Sequence, residues 1–235
     1  MTRLFHSTTT PWRHFIACGA MILLSACGGM GGKASQLYVL NPPAEVNTDA
    51  ESSSKQLAIA MPSAPAYLDT TRIALSRSTT TTDYFASADW TDRVPVIVQE
   101  VMVKSFEKSG KVKDVFRDSG MFKADYGLQT EIRDFEAQYA GSSGPPTVAV
   151  SLHVKLIKQP ERDIVATYTA EKTVQAGANN LDSIVGAFNE ALGATMQQTV
   201  DWTLRTIPAK PPKRVRHRHR MKPATQSEGP PATQQ

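Results

Sequence analysis

The alternation of apolar and polar positions is clearest between residues 148 and 157. Val148, Val150, Leu152, Val154 and Leu156 fall on one side, with Ala149, Ser151, His153, Lys155 and Ile157 opposite. A strict period of two predicts a strand with one buried and one wet face. The segment 125–132 repeats it, with Tyr126, Leu128, Thr130 and Ile132 sharing a face. A third strand, 163–174, follows the turn QPER and is expected to pair antiparallel with the second. Shorter apolar runs at 37–40, 56–61, 72–76 and 112–117 also read as strands.

Two segments carry the helical period instead. In 93–110, Val94, Ile97, Val98, Val101, Met102 and Phe106 form a stripe. Thr91 or Asp92 is the candidate cap, Pro95 sits in the first turn, and Gly110 ends the helix. In 180–207 the stripe is Leu181, Ile184, Val185, Phe188, Leu192, Met196, Val200 and Trp202, capped by Asn179 or Asn180. Two amphipathic helices and a largely antiparallel sheet predict an α+β two-layer sandwich, with both helices on the face lined by Val150, Leu152 and Val154.

The ends of the chain have a different character. Residues 1–26 begin with Arg3 and Arg13, continue into the apolar run 15–26, and meet Cys27. A basic start, a short apolar run and small residues before a cut are the marks of an export signal. The run is too short to span a membrane, which takes about 20 residues. Leu24-Ser25-Ala26-Cys27 resembles the lipobox of bacterial lipoproteins, in which the cysteine becomes residue one of the mature chain. Its thiol takes diacylglycerol as a thioether, and its new amino group is then acylated. Acyl burial is worth about 0.8 kcal/mol per methylene, and a stable hold takes more than one chain. Cys27 is thus the expected lipid attachment. The alternative is a secreted chain with a chance cysteine near its cleavage site. Gly28, where an Asp usually retains such proteins at the inner membrane, resembles the outer-membrane class, facing the periplasm. Cys18 leaves with the leader, so no intramolecular disulfide is expected.

Charge divides the mature chain. Residues 208–235 hold seven basic side chains and one acid, Glu228, while 27–207 carry a net charge of −4. The basic isoelectric point belongs to the tail and gives the folded part no nucleic-acid character. We therefore read residues 27–35 as a lipidated glycine-rich tether, 36–207 as the domain, 41–55 within it as a long unstructured loop, and 208–235 as a disordered, Pro-rich basic tail. Arg214, Arg216, Arg218 and Arg220 of RVRHRHR suit anionic lipid headgroups, lipopolysaccharide phosphates or an acidic partner. The alternative is a soluble tail with no specific target.

Catalytic chemistry is not evident. His153, the one histidine of the domain, falls on the wet face of its strand. Asp83, Asp89 and Asp92 cluster only loosely, in cap and loop chemistry. No metal-ligand spacing, G-x-S-x-G or P-loop occurs. The expectation is no enzyme, no metal and no cofactor beyond the acyl groups of Cys27.

The ordered set of LYVLNPP, LAIAMPSAPAYLDTTRIALSRS with Tyr67, DYFASADWTDRVPVIVQEVMVKSFEKSGKVKDVF with Trp90, ADYGLQTEIRDFEAQY, VAVSLHVKLI and VGAFNEALGATMQQTVDW with Trp202 resembles the ABC-type transport auxiliary lipoproteins, over about residues 36–205. The resemblance implies an accessory subunit serving an ABC permease and ATPase with a mammalian-cell-entry-type substrate-binding subunit. Such systems move phospholipids or other hydrophobic molecules between membranes. It supplies no catalytic residues and does not cover the tail. From the residues we take the short strands of 56–76, with the loop at Tyr67, as the candidate partner-binding surface. The competing reading is a structural or regulatory envelope lipoprotein that contacts peptidoglycan or a cell-wall synthase, with the basic tail as its reaching element.

Overall fold

The computed structural model describes residues 34–141 and 144–209. The expected leader (1–26), Cys27 and the RVRHRHR run lie outside the described residues. The elements are β1 (Gln36–Tyr38), β2 (Gln56–Ile59), β3 (Arg72–Ser78), β4 (Thr81–Trp90), α1 (Val94–Ser109), β5 (Asp114–Arg117), β6 (Tyr126–Gln138), β7 (Thr147–Lys158), β8 (Asp163–Gln175) and α2 (Leu181–Thr206). Among the described residues this is an α+β fold, one eight-stranded mixed sheet with two helices.

The long strand β6 organises the sheet. One edge pairs antiparallel with β7 along its whole length, and β7 pairs in turn with β8. The other edge receives two short strands end to end, both parallel to β6. β2 sits beside Tyr126–Leu128, and β3 beside Ala137 and Gln138. Beyond β2 lies β5, and beyond β3 lie β4 and then β1. The three long strands β6, β7 and β8 pair with one another antiparallel as expected, while every parallel pair includes β1, β2 or β3.

One face carries the core. Val148, Val150, Leu152, Val154 and Leu156 of β7 join Leu128, Ile132 and Phe135 of β6 beneath Val98, Met102 and Phe106 of α1 and Phe188, Leu192 and Met196 of α2. Each of these side chains contributes about 1.5–3 kcal/mol by leaving water. Among the described residues no helix lies over the other face.

Both helix starts differ in kind. Asn180 caps α2, its Oδ1 accepting the Ser183 N–H at 2.9 Å. The residue at the cap of α1 is Arg93, with no side-chain cap bond, rather than Thr91 or Asp92. The Asp92 carboxylate accepts the neighbouring Arg93 N–H at 2.6 Å, and the Val94 N–H goes to the Thr70 carbonyl at 3.2 Å. A neighbouring loop therefore does what a cap would. Gly110 ends α1 at φ 59°, its N–H donating to the Glu107 carbonyl.

Two features depart from the pattern reading. β4 was not anticipated: its TTDYFASADW is largely polar, and Ser87 takes φ 53° where its pairing with β3 breaks. Residues 41–55 are not a free loop. They form a strap along α2, with the Asn41 N–H on Asn189 Oδ1 at 2.9 Å and the Asn47 N–H on Gln197 Oε1 at 3.0 Å. Further along, Thr48 Oγ1 donates to Asp201 Oδ1 at 2.6 Å and Ser53 Oγ to the Pro208 carbonyl at 2.7 Å. Positions 189, 197 and 201 recur at helical spacing, so one stripe of α2 holds the strap. Ala50 is buried beneath it.

Candidate functional site

The loop between β2 and β3 bridges the two strands that share one edge of β6, and it is pinned at several points. The Ser63 N–H donates to the Thr130 carbonyl at 2.9 Å, and the Ile132 N–H to the Ser63 carbonyl at 2.8 Å. The Pro65 carbonyl accepts the N–H groups of Leu68 and Asp69. Leu68 is buried, and Arg93 Nη1 meets Asp69 Oδ1 at 2.9 Å. Tyr67 lies between these anchors, half-buried. Its carbonyl accepts Tyr84 Oη at 3.1 Å, and the Arg72 guanidinium lies 3.8 Å above the Tyr84 ring.

Tyr67 thereby borders an open groove of about 770 Å³ on the helix-free face, over the C-terminal half of β6. Asp134, Glu136 and Gln138 form its floor, paired with Ser151, Ala149 and Thr147 of β7. Glu136 Oε1 accepts Ser76 Oγ at 3.0 Å and Gln138 Nε2 at 3.1 Å. Burial pushes the Asp134 carboxyl up from its ordinary range, and the charges of Glu136 and Glu171 push the same way against Arg133. Burial likewise raises the Tyr67 phenol, aided by Glu136 and Asp134. Hydroxyls of Ser78 and Thr80–Thr82 complete the lining.

This groove offers acceptors, hydroxyls and tyrosine rings, which suit binding. His153 lies on the helix-free face, as the alternation requires, and its Nδ1 is 3.0 Å from Thr169 Oγ1. Asp83 and Asp89 stand apart along β4, and Asp92 serves the start of α1. Among the described residues no group of three or more His, Cys, Asp or Glu side chains is placed to hold a metal ion. No described helix is long and apolar enough to cross a membrane.

Tyr67 was legible in the sequence as part of the loop between two short strands. Asp134 and Glu136 share a face by their spacing of two, which by itself is only the wet side of a strand and marks no site. Cys27 and Arg214, Arg216, Arg218 and Arg220 lie outside the described residues.

Residues 38–200 match the family described as "ABC-type transport auxiliary lipoprotein component". The chain belongs to this family. By that description its members are auxiliary lipoprotein components of ABC-type transport. The crystal structure of protein XCC0632 from Xanthomonas campestris is similar, with 28% sequence identity and a TM-score of 0.69 over 73% of this chain and 96% of that one. Another solved structure, of an uncharacterized protein, shares the fold at 12% identity and a TM-score of 0.56, over 73% of this chain and 99% of that one. The uncharacterized protein bll6063 of Bradyrhizobium diazoefficiens is 27% identical over 190 residues, 80% of this chain. This chain spans about half the length of that relative, 50%.

Proposed function

We propose that this auxiliary lipoprotein is anchored in the outer membrane through acyl groups on Cys27 and serves, from the periplasmic side, a transporter of phospholipids or other hydrophobic molecules. Its partners would be a cell-entry-type substrate-binding subunit and the ABC permease and ATPase behind it, with energy supplied by the ATPase. On this reading the protein supplies no chemistry of its own and needs no cofactor beyond those acyl groups. The observation that carries this reading is the family match across the domain. The helix-free sheet face with its Tyr67 groove supplies a docking surface for such a partner.

The test is affinity purification of the intact lipoprotein in mild detergent, with proteins and lipids identified by mass spectrometry. A cell-entry-type subunit is expected in the eluate. Its absence, with cell-wall enzymes or muropeptides in its place, would overturn the transport role. Tyr67→Ala locates the contact better than deletion of residues 63–69, because Leu68 is buried and Asp69 holds Arg93. The outer-membrane placement is checked by membrane fractionation, and the anchor by Cys27→Ala, which should stop acylation and leave the precursor unprocessed. The Arg214–Arg220 run then acts as a secondary electrostatic contact, each basic residue worth about 1 kcal/mol near an anionic surface.

A second reading, a structural or regulatory lipoprotein in contact with peptidoglycan or a cell-wall synthase, has one observation in its favour. The lining of the groove is polar, with carboxylates, hydroxyls and tyrosines suited to a hydroxyl-rich glycan. Muropeptides in the same eluate would select it.

A further inference from the structure

The helix-free face is largely polar, with Ala149 in the groove floor, and carries one apolar row at its far end, opposite the Tyr67 groove. Register aligns Phe116 of β5 with Ala58 of β2, Ala58 with Gly127 of β6, Gly127 with Ile157 of β7, and Ile157 with Ile164 of β8. Neighbours in register share a face, so these five positions form a single apolar line across five strands. Their flanking positions Leu57, Val115 and Leu156 belong to the helix-covered core, which fixes the row on the opposite side.

A loop folds over this row. The Phe122 ring packs 5.4 Å from that of Phe116, although Phe122 is 65% exposed and Met121 beside it 80% exposed. Between Phe122 on one side and Gln159 and Pro160 on the other lies a cavity of about 500 Å³, with Ala58 among its lining. Gly127 supplies the low point of the row: a side chain there would meet Gln159 Nε2 at 3.4 Å. Lys123 and Arg162 stand at the rim, with no ion-pair partner among the described residues. The rim's acid, Asp118, accepts the Gly120 N–H at 3.1 Å.

Shape and charge together choose the occupant. A protein partner needs about 800 Å² of surface on each side, whereas this strip is one residue wide. Along two neighbouring strands the next outward row is Gln129 and Lys155, which are polar. Four interstrand gaps of about 4.8 Å give a length near 19 Å. One acyl chain in a leaflet spans about 15 Å, half the hydrocarbon thickness. The cavity opens on this row at Ala58, with Phe122, Ala124 and Pro160 as its apolar walls and two cations in its lining, which fits a slender apolar chain that ends in an anion.

We propose that this groove holds the acyl chain of an anionic amphiphile, the chain lying along the Phe116–Ile164 row and the head group at Lys123 and Arg162. That such an amphiphile is the transported cargo rests on the function proposed above; the chemistry of the groove stands without it.

The test places a benzophenone amino acid at Phe122 in the full chain, in cells, and identifies photo-adducts by mass spectrometry. A lipid adduct is expected at position 122 and not at Thr173, at the other end of the same face. Gly127→Leu, which fills the groove without backbone strain, should cut the adduct at least tenfold while the thermal midpoint stays close to that of the parent. Replacing Lys123 and Arg162 together by Ala should lower the ratio of anionic to zwitterionic lipid in the adduct at least threefold. A protein adduct alone, no adduct, an equal adduct at Thr173, or an adduct insensitive to Gly127→Leu would each overturn the assignment. Capture of transporter subunits is scored separately. Their recovery without a lipid adduct refutes the groove and leaves the transport role, and the converse refutes the transport role alone.

Discussion

The indole of Trp90 meets the ring of Phe188 edge-on, the centroids 5.1 Å apart at 82°. Phe135 completes a triad, 6.1 Å from Trp90 and 5.1 Å from Phe188. The three rings tie the end of β4, the C-terminal half of β6 and the first half of α2 into one core, so residues distant in sequence depend on the same packing.

Trp90 is buried with its Nε1 donor unpartnered among the described residues. Trp90→Ala should cost about 3–5 kcal/mol, the range for an aromatic truncated in a packed core. Trp90→Phe should cost clearly less than Trp90→Ala, because it keeps a ring against Phe188 and removes a buried donor that has no acceptor. Urea unfolding followed by far-ultraviolet circular dichroism measures both. Equal losses would mean that the phenyl ring recovers none of the packing against Phe188, or that the indole N–H has a partner whose loss offsets it.

How far the fold was legible follows from which contacts are local. Val148 to Ile157 alternates without a break, and both helices carry unbroken stripes, so the long antiparallel strands, the helices and the buried face were readable. The end-to-end seating of β2 and β3 on β6 was not, because parallel pairing leaves no turn signature between the partners. The strap at 41–55 escaped for another reason. Asn41, Asn47 and Thr48 are the residues of a polar loop, and what orders them is a matching polar stripe on α2, about 150 positions away. At the site, Tyr67 could be named from its loop, whereas Asp134 and Glu136 looked like the wet half of any strand. Only the pairing of β6 with β3 and β7 puts them in one groove.

The strap makes a prediction about local opening. Asn47 is held by Gln197 through both its N–H and its carbonyl, and Thr48 is held by Asp201. Gln197→Ala or Thr48→Val should lower global stability by about 0.5–1.5 kcal/mol per hydrogen bond lost. The larger effect should be on native-state hydrogen exchange. The Asn47 amide should lose most of its protection, while amides in the middle of β7 keep theirs. Uniform acceleration across the domain would show that the strap belongs to the global folding unit.

The cap of α2 is a local and separable contribution. Asn180→Ala removes the acceptor for the Ser183 N–H and should cost about 1 kcal/mol. Asn180→Asp should keep that acceptor and add a charge that favours the helix dipole. Because Asn179 instead accepts Tyr139 Oη at 2.8 Å, Asn179→Ala should leave the helix start intact. Thermal melts of the three variants distinguish the two neighbours.

Two aspartates should respond to pH with opposite signs. Asp134 has a carboxyl pushed up by burial and by Glu136 and Glu171, so the folded state binds its proton more tightly than the unfolded state. Its contribution to stability is fully present below the ordinary aspartate value of about 3.9 and is lost as pH rises through the folded value. Asp134→Asn should therefore raise the thermal midpoint at pH 7, and the gain should shrink toward zero near pH 4. Asp125 is the reverse case. The Gln56 N–H at 2.9 Å and Lys55 Nζ at 3.1 Å hold its carboxyl below the usual range against a smaller opposing effect of burial. Its contribution is present above the unfolded value and lost as pH falls through the folded one. Asp125→Asn should lower the midpoint at pH 7, with the deficit fading in acid. Paired melts of each variant and its parent from pH 7 to pH 3 read both slopes. The same sign for the two would mean that Asp134 is solvated and that the groove beside Tyr67 lacks the local negative field described above.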